Sequence, residues 1–314
     1  MEAKSIYLGR RGGILRARIT ILVLAPLLFI LTACEAPEDP LERGDRLWAD
    51  SSYDKALAEY RLALLQGTRE PGTYLRAAHA YARLGRLDEA QEIYSILLER
   101  SPEYANQAVF DYLMMARRSL ARGDRHGVAR GVEAALALQP AVPLGELAPV
   151  LARYYGDTGD PERALRFYQR SLASASPDSV PRLLFQLGMV HLRRNNCVEA
   201  IDFFGAARTR ERDLSRRDEA KWQMGNCAFE LAREARKEGQ VREALEYLEL
   251  VLSLQAPSNL MDQAWFEHGE VLFTLGRFDE ALESYRQVVE LNRSRGGLLL
   301  DRARQRIDQI RFGT

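Results

Sequence analysis

The 314-residue sequence is poor in lysine, histidine and cysteine, with four, four and three of them. The histidines, His79, His126, His191 and His268, are scattered, and no pair of them has metal-ligand spacing. No CxxC, HExxH or phosphate-cradling glycine loop occurs. Asp157-Thr158-Gly159-Asp160 has a calcium-loop look, but the remaining ligands and the distal glutamate are missing; a turn between helices accounts for it. Net charge is absent too: 44 basic residues meet 44 acidic ones, so no cationic surplus exists to hold a nucleic-acid backbone. No apolar run reaches the roughly 20 residues that span a bilayer. The longest, Ile19 to Leu31, has 13 residues. No serine or cysteine stands in a nucleophile's context. These absences predict a chain that is not an enzyme, takes no metal or cofactor, and binds neither nucleic acid nor a small-molecule substrate.

What is present begins with an address. Lys4, Arg10, Arg11, Arg16 and Arg18 precede the short apolar run, as in a secretory signal. The run ends Leu31-Thr32-Ala33-Cys34, which resembles the lipobox of bacterial lipoproteins. That resemblance implies that residues 1–33 are a signal peptide and that Cys34 becomes the lipid-bearing first residue of the mature chain. Two or three acyl chains, as such lipoproteins carry, hold a protein far more firmly than one. Glu35 departs from the aspartate that retains enterobacterial lipoproteins at the inner membrane. The expected location is therefore the periplasmic face of the outer membrane, with the inner membrane as the alternative. Residues 34–40, acidic and twice broken by proline, read as a tether. Without the signal, 39 basic and 43 acidic residues remain, so nothing draws the exported body onto anionic lipid. The 40 arginines against four lysines fit a GC-rich genome; arginine chosen for bidentate carboxylate recognition is the sharper reading.

Self-comparison is the most informative step. A small residue followed twelve positions later by alanine or valine occurs as Gly44/Ala56, Ala78/Ala90, Ala116/Val128, Ala152/Ala164, Gly188/Ala200 and Gly269/Ala281. A seventh pair, Gly225/Ala244, is spaced nineteen. Four residues after each second member stands Tyr60, Tyr94, Val132, Tyr168, Phe204, Leu248 or Tyr285, and three further on a second apolar or small residue. Steps of four and three keep side chains on one helical face. The small residue lets two helices approach, and the large one fills the space beside it. Gly85, Gly123, Gly159, Asn195, Gly239 and Gly276 lie five residues before the second member and suit a left-handed helix end. The wider spacing in the sixth unit predicts a first helix lengthened by two turns through Leu231–Glu238, with an end that stands off the stack, or else a longer loop.

The unit from Pro71 to Tyr104, with Tyr74, Ala77-Ala78, Tyr81, Gly85, Ala90, Tyr94, Leu97 and Pro102, resembles the tetratricopeptide repeat; the unit from Asp262 to Arg295 resembles it through Trp265, Gly269, Gly276, Ala281 and Tyr285. The resemblance implies an all-α fold, a right-handed α-solenoid over residues 41–295. Its seven helix pairs fall at about 37–70, 71–104, 109–142, 145–178, 181–214, 218–257 and 262–295. An amphipathic helix over 298–311, with Leu299, Ala303, Ile307 and Ile310, is expected to cap the last pair.

In such a stack the first helices line an inner groove. The stripe three residues before, one after and four after each small residue reads Phe185, Met189, Leu192 in the fifth unit, Trp222, Asn226, Phe229 in the sixth and Phe266, Glu270, Phe273 in the seventh. Arg117 and Arg153 occupy the central place in the third and fourth units, with Arg83 nearby from the second. These twelve residues are the expected peptide-binding groove, aromatic toward the C terminus and basic in the middle. The aromatics equally suit packing between neighbouring first helices or beneath the terminal helix. Cys197 and Cys227 fall on adjacent antiparallel helices, and outside the cytoplasm they form either a disulfide or two buried thiols. The whole resembles, in plan, periplasmic tetratricopeptide lipoproteins of outer-membrane barrel assembly and of type IV pilus assembly. It implies a scaffold that holds peptide segments of envelope proteins at a membrane. The alternative is an adaptor presenting substrates to a periplasmic protease or a peptidoglycan hydrolase.

Overall fold

The computed structural model describes residues 38–294 and 296–313. The signal peptide, Cys34 and most of the tether lie outside the described residues. Fifteen α-helices and two short 3₁₀ turns, Pro102–Tyr104 and Ser258–Leu260, account for the fold, and no strand occurs among the described residues. The helices are α1 Pro40–Ala49, α2 Tyr53–Leu65, α3 Pro71–Leu84, α4 Leu87–Arg100, α5 Ala105–Ala121, α6 Arg125–Leu138, α7 Leu147–Asp157, α8 Pro161–Ala173, α9 Val180–Arg193, α10 Cys197–Arg210, α11 Leu214–Lys237, α12 Val241–Leu254, α13 Met261–Thr274, α14 Phe278–Leu291 and α15 Leu298–Phe312. Two compact bodies divide at Asp111/Tyr112, within α5. In each body consecutive helices pack as neighbours, so the helices fall into pairs that stack in chain order.

The repeat pattern becomes the core directly. All seven residues of each repeated position are buried: Ala56, Ala90, Val128, Ala164, Ala200, Ala244 and Ala281, and likewise Tyr60, Tyr94, Val132, Tyr168, Phe204, Leu248 and Tyr285. The turn between the helices of a pair is left-handed in every unit, with φ from 74° to 80° at Gly85, Gly123, Gly159, Gly239 and Gly276 and 56° at Asn195. In the first unit Ser51, at φ 59°, takes this role without a glycine to announce it. Aspartates close several helix starts: Asp124 accepts from Gly127 N at 2.8 Å, Asp160 from Arg163 N at 2.9 Å and Asp213 from Arg216 N at 3.0 Å.

The sixth unit requires a correction. Gly44, Gly188 and Gly269 each lie sixteen residues before the ring they face: a Cβ added there would come to 2.7 Å or less from a ring carbon of Tyr60, Phe204 or Tyr285. Sixteen before Leu248 is Ala232, which is buried, and Ala232 precedes Ala244 by twelve. Gly225 instead faces the backbone of Ala256. The spacing is therefore conserved in all seven pairs, and the marker of the sixth is Ala232, not Gly225. α11 is long, 24 residues, but its added length lies at the N-terminal end: α9 and α13 start eight residues before their markers, α11 eighteen. Its C-terminal end does not stand off the stack. Ala232 and Ala235 are buried, and Arg236 pairs with Glu267 of α13.

Cys197, the first residue of α10, is disulfide-bonded to Cys227 of α11, with a Cα–Cα distance of 5.2 Å. This lies inside the range that a bridge spans without backbone movement.

Candidate functional site

The first helices of the pairs carry the candidate site. The small marker residue on each lets the large residue of the second helix pass, and where that residue is tyrosine its hydroxyl emerges beside the position after the marker. Tyr60 Oη donates to Asp45 Oδ1 at 2.8 Å, and Arg76 of the next first helix donates Nε and Nη2 to the same carboxylate at 2.8 and 3.0 Å. Tyr285 Oη donates to Glu270 Oε1 at 2.7 Å, and Arg306 of α15 clamps that carboxylate through Nε and Nη2, both at 2.8 Å. Tyr94 donates to Asp111, whose Oδ2 lies 2.7 Å from His79 Nδ1. Burial alone would raise the Asp45 and Glu270 carboxyls, but the arginine and tyrosine hydrogen bonds outweigh it and hold both below the usual carboxylate range. Burial, reinforced by those carboxylates, pushes Tyr60 and Tyr285 upward.

The expected groove residues divide. Phe266 and Phe229 are 2% and 4% exposed, and Phe185, Met189 and Leu192 are half-buried against the core around Phe204, Met224 and Cys227. Phe273 lies half-buried, with the Arg306 guanidinium 4.9 Å above its ring, and Arg302 covers Phe266 at 4.6 Å. The aromatic stretch of the seventh unit is thus covered by the chain's own α15, and Glu270 is consumed by Arg306. The physical reason is helical spacing: a residue three before the marker shares its face and is drawn into the same seam. Trp222, 47% exposed, and half-buried Asn226 belong to the N-terminal extension of α11, because a stripe counted from Gly225 starts seven residues short of the true marker. Counted from Ala232, it reads Phe229, Arg233 and Arg236.

Arg117 and Arg153 are exposed. Arg193 joins them: its Nη2 stands 3.0 Å from where a Cβ on Gly156 would lie, so that glycine gives the guanidinium room to cross onto α7. Arg83 belongs to the first body, where it lies 4.8 Å over the Tyr53 ring. That body also holds a cleft the groove reading passed over, about 330 Å³, lined by Asp45, Trp48, Leu75, Arg76, His79 and Gln107. Trp48 stands 5.0 Å from His79, centroid to centroid. The stripe rule applied to Gly44 and Ala78 would have found Asp45, Trp48, Leu75 and His79.

The remaining histidines are packing residues or surface contacts. His191 stacks on Phe203 at 5.1 Å, and burial with Arg194 nearby pushes its pKa down. His126 Nδ1 meets Tyr154 Oη at 3.1 Å. His268 Nδ1 lies 2.9 Å from Ser284 Oγ, and burial, with a smaller push from Arg277, lowers its pKa to about 4. A folded value below the unfolded one, about 6.5, means that the unfolded chain binds more protons between them. Stability is full above about pH 6.5 and falls as pH drops toward 4; at pH 5 the loss is about 2 kcal/mol. Urea midpoints at pH 7 and pH 5 check this, and His268→Gln is expected to shrink the difference. An unchanged difference in the variant sinks the assignment.

Among the described residues, no cluster of three histidine, cysteine or acidic side chains could hold a metal ion, and no helix is long and apolar enough to cross a membrane.

No curated protein matches the chain. Of solved structures, the C-terminal part of a TPR repeat-containing protein from Cytophaga hutchinsonii is similar at 16% identity, covering 83% of this chain and 98% of that one, with a TM-score of 0.34. YrrB, described as a TPR protein with an unusual peptide-binding site, is 18% identical over 69% of this chain and 100% of its own, at a TM-score of 0.34. A thermophilic TPR protein of Thermus thermophilus is 22% identical over 60% of this chain and 99% of its own, at 0.26. One family model for the tetratricopeptide repeat matches residues 150–214 and 229–295, and a second matches 71–104, together just over half the chain. With buried repeat positions in all seven helix pairs, the chain belongs to the tetratricopeptide-repeat family, whose architecture is that of a protein–protein interaction scaffold.

Proposed function

We propose that the protein is a lipid-anchored scaffold of the bacterial envelope that captures peptide segments of other envelope proteins on the face of its first helices. The observation that carries the binding half is that Arg117, Arg153 and Arg193 are exposed, while Phe185, Met189 and Leu192, which pack against the core, keep part of their apolar surface open. A peptide with apolar anchors and an acidic portion suits such a face. The anchoring half rests on the lipobox-like ending at Cys34, and Glu35 supports the outer membrane as its destination.

The test uses the full chain in bacteria grown with labelled palmitate. The mature protein is expected in the membrane fraction carrying label, and Cys34→Ser is expected to be unlabelled. A photo-crosslinking residue at Met189 or Arg117 is expected to give adducts with envelope polypeptides, and one at Arg166, on the second helix α8, is not. Unlabelled mature protein ends the anchoring proposal; equal adducts from all three positions end the binding face. Adducts consisting of a protease or a peptidoglycan hydrolase would turn the scaffold into an adaptor.

A further inference from the structure

The repeats present one surface position seven times. Nine residues after the second marker, on the solvent side of each second helix, stand Leu65, Glu99, Ala137, Ala173, Thr209, Ser253 and Glu290, and all seven are exposed. Six of them are small or polar. The first repeat alone carries a large apolar side chain there, and Leu65 is 82% exposed. Leu62, three residues earlier, is exposed as well, and a step of three puts both on one face of α2.

These leucines lie at the end of the first pair where the chain enters. The three residues 50–52 join α1 to α2, so the two helices run antiparallel, and the start of α1 sits beside the end of α2. Arg43, near that start, pairs with Glu59 of α2 at 2.6 Å. α2 has thirteen residues and α1 ten, so α2 overhangs by about 4–5 Å at this end. Glu38 is held against α1, its carbonyl by Arg43 and its carboxylate by Arg46. Four residue steps separate Glu38 from Cys34, at most about 14 Å of extended chain. A lipid on Cys34 therefore brings this end of the pair to the headgroup region, which is roughly 5–8 Å deep on each side of a bilayer. Charge does not govern the approach, because exposed Arg61 and Arg69 are offset by exposed Asp39, Glu42 and Glu70.

We infer that Leu62 and Leu65 insert into the lipid surface to which Cys34 is attached, so that the first repeat forms a second, apolar foothold and fixes how the first body stands on the membrane. The inference rests on the lipid-anchor reading above. Leucine leaves water favourably for the boundary between headgroups and acyl chains, whatever the headgroup charge. Two leucines suffice because the acyl anchor already holds them at the surface, which makes their insertion an intramolecular step.

The test uses the full lipidated chain in vesicles whose lipids carry bromine in the acyl chains, which quenches a fluorophore at contact range. With Cys34 acylated and Cys197 bonded to Cys227, Leu65→Cys supplies a single free thiol for an environment-sensitive label. Glu99→Cys labels the same position one repeat on, in the same body, and is the control. The label at 65 is expected to emit further to the blue and to lose most of its emission on brominated lipid, equally in neutral and anionic vesicles. The label at 99 is expected to do neither. Leu62→Ser in the Leu65→Cys chain is expected to restore part of the lost emission, with circular dichroism confirming the fold. If the chain floats with the vesicles but the two labels behave alike, the foothold is overturned and the anchor stands. If the chain does not float, the anchor is overturned and the foothold with it. A blue-shifted label at 65 that bromine leaves unquenched is covered by protein, a second copy included, and overturns the lipid contact. Quenching in anionic vesicles alone overturns the apolar contact in favour of an electrostatic one.

Discussion

Gly225→Ala is expected to destabilise the second body by about 3 kcal/mol or more, although Gly→Ala within a helix ordinarily stabilises by about 1 kcal/mol. The added methyl would fall on the carbonyl oxygen of Ala256, 2.7 Å from its carbonyl carbon and 3.0 Å from Pro257 Cδ. Overpacking against side chains costs about 1–3 kcal/mol because rotamers can give. Here the obstacle is main chain, held between α12 and the 3₁₀ turn that opens onto α13, so the helices themselves must separate. Gly205→Ala in α10 is the control. Its new methyl would meet only Met224 Cε at 3.6 Å, an ordinary contact, so this variant is expected to gain about 0.5–1 kcal/mol. Urea unfolding followed by far-UV circular dichroism measures both. Equal behaviour of the two variants would show that the close approach of α11 to Ala256 carries no weight.

Ending the chain at Ser294, which removes α15, is expected to melt α13 and α14 ahead of the rest. α15 buries Leu300 and Ala303 and lays Leu299, Ile307 and Ile310 against the core that contains Phe266, Tyr285 and Val288. Full burial of a leucine-sized side chain contributes about 1.5–3 kcal/mol, so the helix supplies on the order of 5 kcal/mol to its neighbours. Its loss also strips Arg306 from Glu270, a pair with side chains 32% and 17% exposed. Arg306→Ala isolates that share, expected at about 1–3 kcal/mol, since the site is neither fully screened nor fully dry. Glu270 is held below its ordinary value in the fold, so its contribution is present above the normal carboxylate range and is lost as pH falls through the depressed value. Arg306→Ala moves that acid limb upward. Hydrogen exchange resolves the truncation: protection over 261–291 should collapse while that of α7 and α8 persists. Uniform loss along the chain would show that the pairs do not melt separately.

The helix pairs are legible in the sequence because their determinants are local and repeated. A buried alanine or valine at every second marker, a bulky residue four later and a left-handed turn between the helices all follow from fixed spacings. The sixth unit misleads because glycine is the more conspicuous small residue, and Gly225 draws attention from Ala232. Two unrelated needs produce similar residues there: Ala232 makes room for Leu248, Gly225 for a passing backbone. The candidate face is legible only in part. Arg117 and Arg153 stand exposed where a stripe rule puts them. The same rule cannot tell that Phe266 and Phe273 are roofed by Arg302 and Arg306, because that depends on how a helix some thirty residues away is seated.

The bond between Cys197 and Cys227 joins the fifth helix pair to the sixth, where neighbouring junctions of the second body are held by packing and by ion pairs such as Arg194–Glu162 and Arg236–Glu267. If the protein is pulled while tethered at its N terminus, pairs should detach one at a time until the strain arrives at this junction. There the 29 residues between the two sulfurs are bypassed by a covalent shortcut, and the load travels through sulfur instead of through helices. Reduction of that bond would turn a mechanical stop into one more step of the same size as the rest.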